Sequence, residues 1–347
     1  MATTFKTFLN NDVTTARTLL HEAIPVTGSI VSGTYSDDNI KNYTHGIFQS
    51  VYDYPFLSSS ANHIFDLSVG YSANSALSGT TAVTEQPKKI NMYNQMAQVL
   101  VGYDITGSIL EFDEDGNIAD GGTKLRECLF IDFSRLLYKD EVKKGSFSLE
   151  LGVTTAYATP FTTTITLADT NAANDYRVNS PAGEYAILTA SGGGVPTPQN
   201  AGLIYYQAGI AVVTASVLGS LLTAPAVEVN SSAELINAVL TGSAISGSCD
   251  DLRHRVENIA FNNTTELNST IYFCRINNND FNYSANPTYL SESKLRVKRT
   301  TTDAPVSYIT TVGLYSDDNE LLAVAKLSEP LRKDPTNEMI LRVRLDY

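Results

Sequence analysis

The feature that most constrains this chain is how its apolar residues are punctuated. From Ile30 onward they come in short β-branched and aromatic runs, cut by clusters of Gly, Asn, Asp and Ser. Residues 43–54, 62–71, 162–167, 184–189 and 203–207 are of this kind. Such runs suit pleated strands, and the clusters between them suit turns. The Asp115-Gly116 dipeptide predicts a tight turn after a strand that begins near Asp104. Residues 127–138 read as a buried apolar run, 139–145 as a polar turn and 146–153 as an alternating strand. Further strands are expected at 269–276, 294–299, 307–315, 321–327 and 339–346, with Asp317-Asp318-Asn319 turning the hairpin.

Helical spacing is rarer. Asn11 or Asp12 is positioned to cap a helix carrying Val13, Ala16, Leu19, Leu20 and Ala23, stopped by Pro25. A second helix is expected from Pro87 to about Leu100, with Ile90, Tyr93, Met96, Ala97 and Leu100 on one face. Ser231 and Glu234 have capping-box spacing for a helix running to about Leu240, and another is expected at 250–258. The resulting fold class is mainly β with a few helices (α+β), in antiparallel β-sandwich-like domains. Residues 1–153 read as an N-terminal α+β part and 154–248 as an inserted β-rich domain. Residues 249–347 read as a hairpin-rich part packing with the N-terminal one. The pentapeptide Tyr-Ser-Asp-Asp-Asn at 35–39 recurs at 315–319 and reads as two similar turns.

Composition narrows the partners. At 347 residues and 43% hydrophobic the chain is able to bury a sizeable core, yet no eighteen-residue run is uninterrupted by polar residues. Charged residues are 18%, below the roughly 25% of an average domain, so Thr, Ser and Asn supply the polar surface. A net charge of −13 argues against nucleic acid or an anionic membrane as partner, since both need a positive field. The chain's start lacks the pattern of a secretory signal. Three widely spaced cysteines, Cys128, Cys249 and Cys274, fit reduced thiols rather than a disulfide framework, with Cys274 expected as a small buried hydrophobe.

Motifs for chemistry fail one by one. Asp113, Asp115 and Asn117 match the first three ligand positions of an EF-hand loop. The glycine position, however, is Ile118 and the closing glutamate is Lys124, so a hairpin turn is the better account. His21, His45, His63 and His254 are isolated from one another and from any Cys-x-x-Cys. Gly192-Gly193-Gly194 is followed by Val-Pro-Thr-Pro rather than by a phosphate-binding helix, and reads as a loop tip. No catalytic, cofactor-binding or metal-binding residue is assigned, and no enzymatic activity is expected. Lys294, Arg296, Lys298 and Arg299 form a basic cluster, read as a solvated edge strand or a contact with an acidic neighbour. Nineteen Tyr and thirteen Phe without Trp fit both interface contact area and simple strand preference.

Three segments carry a resemblance. Asp280-Phe-Asn-Tyr-Ser-Ala-Asn-Pro-Thr-Tyr and the hairpin Tyr308-Ile-Thr-Thr-Val-Gly-Leu-Tyr-Ser-Asp-Asp-Asn-Glu-Leu-Leu-Ala-Val-Ala-Lys-Leu-Ser-Glu-Pro resemble sequences in structural proteins of tailed bacteriophages. Tyr52-Asp-Tyr-Pro-Phe-Leu-Ser-Ser-Ser-Ala-Asn-His-Ile-Phe-Asp is similar to virion proteins of contractile-tailed phages of marine bacteria. The resemblance covers about half the chain, does not reach 154–248, and brings no catalytic residues. It implies a virion subunit of the baseplate or tail end, assembled in the host bacterial cytoplasm. Its partners would be other virion proteins and copies of itself in a sixfold or twelvefold arrangement, without nucleic acid, membrane or cofactor. A neck, collar or capsid-surface protein, or a receptor-binding module on a fibre, are the alternatives. Within the hairpin, Ile309, Val312, Leu314, Leu322, Val324 and Leu327 are expected to be buried. Tyr308, Ile309, Leu314, Tyr315, Leu322 and Leu327 are the expected assembly contacts.

Overall fold

The computed structural model describes residues 5–25, 37–79, 83–118, 122–153, 161–193, 198–218, 236–284, 290–291, 294–295, 300 and 302–347. It divides the chain into two compact units, Leu20–Thr265 and Met1–Leu19 with Glu266–Tyr347. The division falls inside the long strands β1 (Val13–Pro25) and β15 (Val256–Ile276).

The larger unit contains β2 (Ile40–Asn42), β3 (Gln49–Tyr52), β4 (His63–Tyr71), β5 (Phe112–Asp113), β6 (Lys124–Leu125) and β7 (Glu127–Phe133). After these come β8 (Glu141–Val142), β9 (Ser148–Val153), β10 (Thr163–Ala168), β11 (Arg177–Ser180), β12 (Gly183–Gly192), β13 (Gln199–Tyr205) and β14 (Ile210–Thr214). Its helices are α1 (Gln86–Leu100), α2 (Arg135–Tyr138), α3 (Ile236–Gly242) and α4 (Ile245–Arg255). One sheet runs in the order β15-β9-β10-β12-β13-β14-β7-β4-β3-β2, each neighbouring pair antiparallel.

The unbroken apolar run of β7 is explained by cover on both faces of the sheet. Successive residues alternate between two cores, because strand side chains point to opposite faces. Cys128 and Phe130 join Met92, Tyr93, Ala97 and Leu100 of α1. Leu129, Ile131 and Phe133 join the larger core, to which α3 and α4 also contribute. Phe133 packs its ring 6.3 Å from Phe65, 5.9 Å from Phe147 and 5.1 Å from Phe261. Phe261 belongs to β15 and Phe147 precedes β9, both far from β7 in the strand order. The sheet therefore curls over this core in a sandwich-like way, as expected of a mainly β, α+β protein. α1 lies so close to β4 that a Cβ on Gly70 would stand 2.7 Å from the Lys89 carbonyl oxygen and 2.8 Å from the Tyr93 nitrogen.

The smaller unit holds the first part of β1, the second part of β15, β16 (Leu290–Ser291), β17 (Lys294–Leu295), β18 (Ser307–Tyr315), β19 (Leu321–Lys333) and β20 (Met339–Asp346). β20 pairs antiparallel with β15 from Ser269–Asp346 to Ile276–Met339. β18 and β19 form a separate two-stranded sheet. None of this unit's described residues belongs to either hydrophobic core.

Several expectations need correction. Residues 13–23 form a strand, not a helix. Their apolar positions are exposed, so helical spacing had no core face to serve; the β-branched Thr14, Thr15 and Thr18 suit a strand, and that strand lies beside β15. β15 begins at Val256 directly after α4, thirteen residues before the strand expected at 269. Its polar middle is held by specific bonds: Asn263 Nδ2 donates to the Leu137 carbonyl at 2.9 Å, and the Glu22 N–H donates to Asn263 Oδ1 at 3.2 Å. Residues 154–248 do not form a separate inserted domain: β10 and β12–β14 lie within the main sheet, between β9 and β7. By contrast α1, β18 and β20 begin and end within one residue of expectation. The Ser231–Glu234 pair and the basic positions 296–299 lie outside the described residues.

Candidate assembly surface

The hairpin β18–β19 is anchored at its open end. Ser307 pairs with Lys333 across the two strands. Lys333 is fully buried, and its Nζ donates to the Asn278 carbonyl at 3.1 Å, Asn282 Oδ1 at 2.7 Å and the Asp334 carbonyl at 2.7 Å. Ser307 Oγ donates to the Phe281 carbonyl. These bonds tie the hairpin to the loop after β15. Sequence reading missed Lys333, since a lysine before Asp-Pro carries no signal of burial. At the closed end Asn319 takes a positive φ of 63°, and the Asn319 N–H donates to the Ser316 carbonyl at 3.0 Å, making the expected turn.

Between the ends the two faces differ. Leu314 is buried at 6% exposure, opposite Ala323, and Ile309, Val312, Ala325 and Leu327 are half-buried. Thr311, Gly313, Tyr315, Leu322, Val324 and Lys326 are exposed. Leu322 at 68% and Val324 at 59% overturn the expectation that they lie in a hairpin core. The register explains Leu322: Leu314 pairs with Ala323 but Tyr315 with Leu321, so Leu322 is the extra residue of a β-bulge. Of the expected contacts, Tyr308, Tyr315 and Leu322 are exposed, Ile309 and Leu327 half-buried and Leu314 buried. The Tyr315 ring lies 4.8 Å from that of Phe5.

Exposed apolar side chains run through the rest of this unit as well. Phe8, Leu9, Leu19, Tyr283, Ile340 and Tyr347 are all exposed. Its buried hydrophobic residues, among those described, are Ile276, Leu314 and Val343.

Among the described residues, the other candidate groups have local partners or are buried. Asp113 is buried and takes up the Asp115 and Asn117 N–H groups and the Lys124 ammonium at 2.6 Å, so the acidic loop is a self-satisfied turn. Among the described residues no three His, Cys, Asp or Glu side chains converge to hold a metal ion. His21 faces Thr264 Oγ1, His254 the Asp250 carbonyl and His63 Asp66. Burial pushes the Cys128 and Cys249 thiols up, while Cys274 is only half-buried, contrary to expectation. Burial lowers Lys89 to about 8, against the Glu85 charge; its Nζ donates to the Leu240 and Ser243 carbonyls at the end of α3. A pocket of about 250 Å³ is lined by Thr15, Ala16, Arg17, Asn268, Ser269 and Tyr347, and the Arg17 guanidinium there is paired with Glu266. Among the described residues no helix is long and apolar enough to cross a membrane.

No protein family, curated protein or solved structure matches the chain.

Proposed function

We propose that this chain is a structural subunit of a tailed-phage virion, in the baseplate or tail-end assembly, working through protein–protein contacts rather than catalysis. The observation that carries this reading is the contrast between the two units. The larger has two hydrophobic cores, whereas the smaller exposes Leu322, Val324, Leu9 and Ile340 and, among its described residues, contributes to neither core. A two-stranded hairpin is marginal by itself, and exposed apolar patches on a folded chain mark contact surfaces. The resemblance of residues 52–66, 280–289 and 308–330 to phage structural proteins supplies the particle in question. Neighbouring virion proteins and further copies of the chain are the proposed cover for these faces.

The test is gold labelling of intact particles with an antibody against the chain, viewed by negative-stain microscopy. Label at the distal tail is the expected result. Label at the neck or head moves the subunit to the collar or capsid surface. Failure to label broken as well as intact particles overturns the virion assignment.

A further inference from the structure

Charge is distributed unevenly between the two units. Residues 1–19 and 266–347 carry 12 Lys/Arg and 12 Asp/Glu, whereas residues 20–265 carry 12 and 25. The whole net charge of −13 therefore resides in the larger unit, and the smaller is neutral. Two copies meeting through their larger units repel, while two meeting through their smaller units incur no net repulsion.

Within the hairpin, charge is ordered lengthwise. No Lys or Arg occurs from Ser307 to Ala325, and Asp317, Asp318 and Glu320 cluster at the turn. Among the described residues, none of the three carboxylates has an ion-pair partner, and neither has Lys326. Lys326 lies five residues from Leu321 along β19, about 17 Å at strand rise. The exposed Tyr315, Leu322 and Val324 occupy the interval, around Gly313, whose missing side chain leaves room for the Tyr315 ring and Leu321. From the turn to Lys326 the hairpin thus reads acid, apolar, base along its length. Turned end for end, that order is complementary to itself, which is what a two-fold interface requires.

We infer that the outward face of β18–β19 docks on the same face of a second copy of this chain. The two hairpins run antiparallel, the Leu322–Val324 patches meet at the axis, and Lys326 of each copy lies against the Asp317–Asp318 turn of the other. The inference rests on the reading of the hairpin as a contact surface, and names its partner.

Sedimentation equilibrium of the full chain against concentration and salt tests it. The expected result is a reversible dimer that weakens as salt rises. Lys326→Glu and the double change Asp317→Lys, Asp318→Lys are each expected to weaken it at least ~10-fold, with the combination of all three restoring it. Leu322→Asp with Val324→Asp is expected to abolish it, with an unchanged circular dichroism spectrum and melting temperature showing the fold intact. A wild-type chain that stays monomeric to about 100 μM, or a charge-swapped variant no better than its parents, overturns the inference. Incorporation of the same variants into particles separates the two readings. If the wild type is monomeric but the Leu322–Val324 variant is excluded from particles, self-docking falls and the contact surface stands. If that variant is incorporated like wild type, the contact surface falls too.

Discussion

Asp66 and Asp132 are paired directly across β4 and β7, two carboxylates on neighbouring strands of one sheet. Facing carboxylates repel, and three features moderate the repulsion. Ser50, the partner of Asp66 on β3, donates its hydroxyl to Asp66 Oδ1 at 2.5 Å, and His63 Nε2 lies 2.8 Å from the same oxygen. Asp132 is also pushed up to about 6, by burial first and the Asp66 charge second, with His63 opposing. His63 in turn is raised above its ordinary value, chiefly by its hydrogen bond to Asp66.

Stability should therefore fall as pH rises through this row. The folded chain keeps a proton on Asp132 up to about 6, while the unfolded chain releases it near 3.8, so between these values the native state binds more protons. His63 acts in the same sense: its contribution is complete below 6.5 and is lost as pH rises through its raised folded value. Asp132→Asn is expected to stabilise the protein by ~1–3 kcal/mol at pH 8 and by almost nothing at pH 4. Urea unfolding at the two pH values measures the difference. An equal effect at both would show that neither burial nor the Asp66 charge raises Asp132 in the folded chain.

The approach of α1 to β4 makes Gly70 the least replaceable glycine of this interface. An added Cβ meets backbone atoms of Lys89 and Tyr93 rather than the yielding end of a side chain. Gly70→Ala is expected to cost at least ~1–3 kcal/mol through a forced shift of the helix. Gly79→Ala, where nothing lies within 4 Å, is expected to stay within ~0.5 kcal/mol. Thermal melts of the two variants beside wild type decide this, and equal costs would mean the helix rides freely over the sheet.

What could be read in the sequence followed from where burial and local pattern agree. α1 was legible because its apolar face meets a core, and β18 and β20 because alternation and turn residues bound them. β1 was not legible: its spacing imitates a helix, and only the partner strand β15 decides its conformation. The middle of β15 was hidden by polar residues, of which Asn263, Thr264 and Glu266 hold side-chain partners distant in sequence. The hairpin was legible as an element but not in its burial, since alternation tells that two faces differ and not which one is covered. Lys333 shows the converse, a charged side chain buried because three oxygens surround its ammonium.

Thiol chemistry should separate the three cysteines. Cys128 and Cys249 are buried, each Sγ 3.4 Å from a backbone carbonyl oxygen, of Leu125 and Leu67 respectively. A thiol that is both buried and raised in pKa reacts only when the fold opens. Cys274 is half-buried on β15, its thiol raised by burial and then by the Asp12 charge. A maleimide at pH 8 is expected to modify one thiol per chain within minutes, mapped to Cys274 by mass spectrometry, and all three in denaturant. Rapid modification of Cys128 or Cys249 in the folded chain would place those strands in a locally opening region.

The hairpin's two faces should respond oppositely to truncation, which separates side chains that serve the fold from those left for a partner. Leu314 is buried opposite Ala323, and Leu314→Ala is expected to cost ~2 kcal/mol, at the low end for a leucine because the hairpin gives thin cover. Leu322 and Val324 face solvent, so the isolated chain gains little by burying them. Leu322→Ser with Val324→Thr is expected to change its stability by no more than ~0.5 kcal/mol. The same double variant is expected to lose the dimer, because the removed apolar area is what two copies would withdraw from water. Urea unfolding at a concentration where the chain is monomeric isolates the first effect, and sedimentation at higher concentration reads the second. A double variant that is destabilised as a monomer would show that Leu322 and Val324 belong to the chain's own packing rather than to a contact surface.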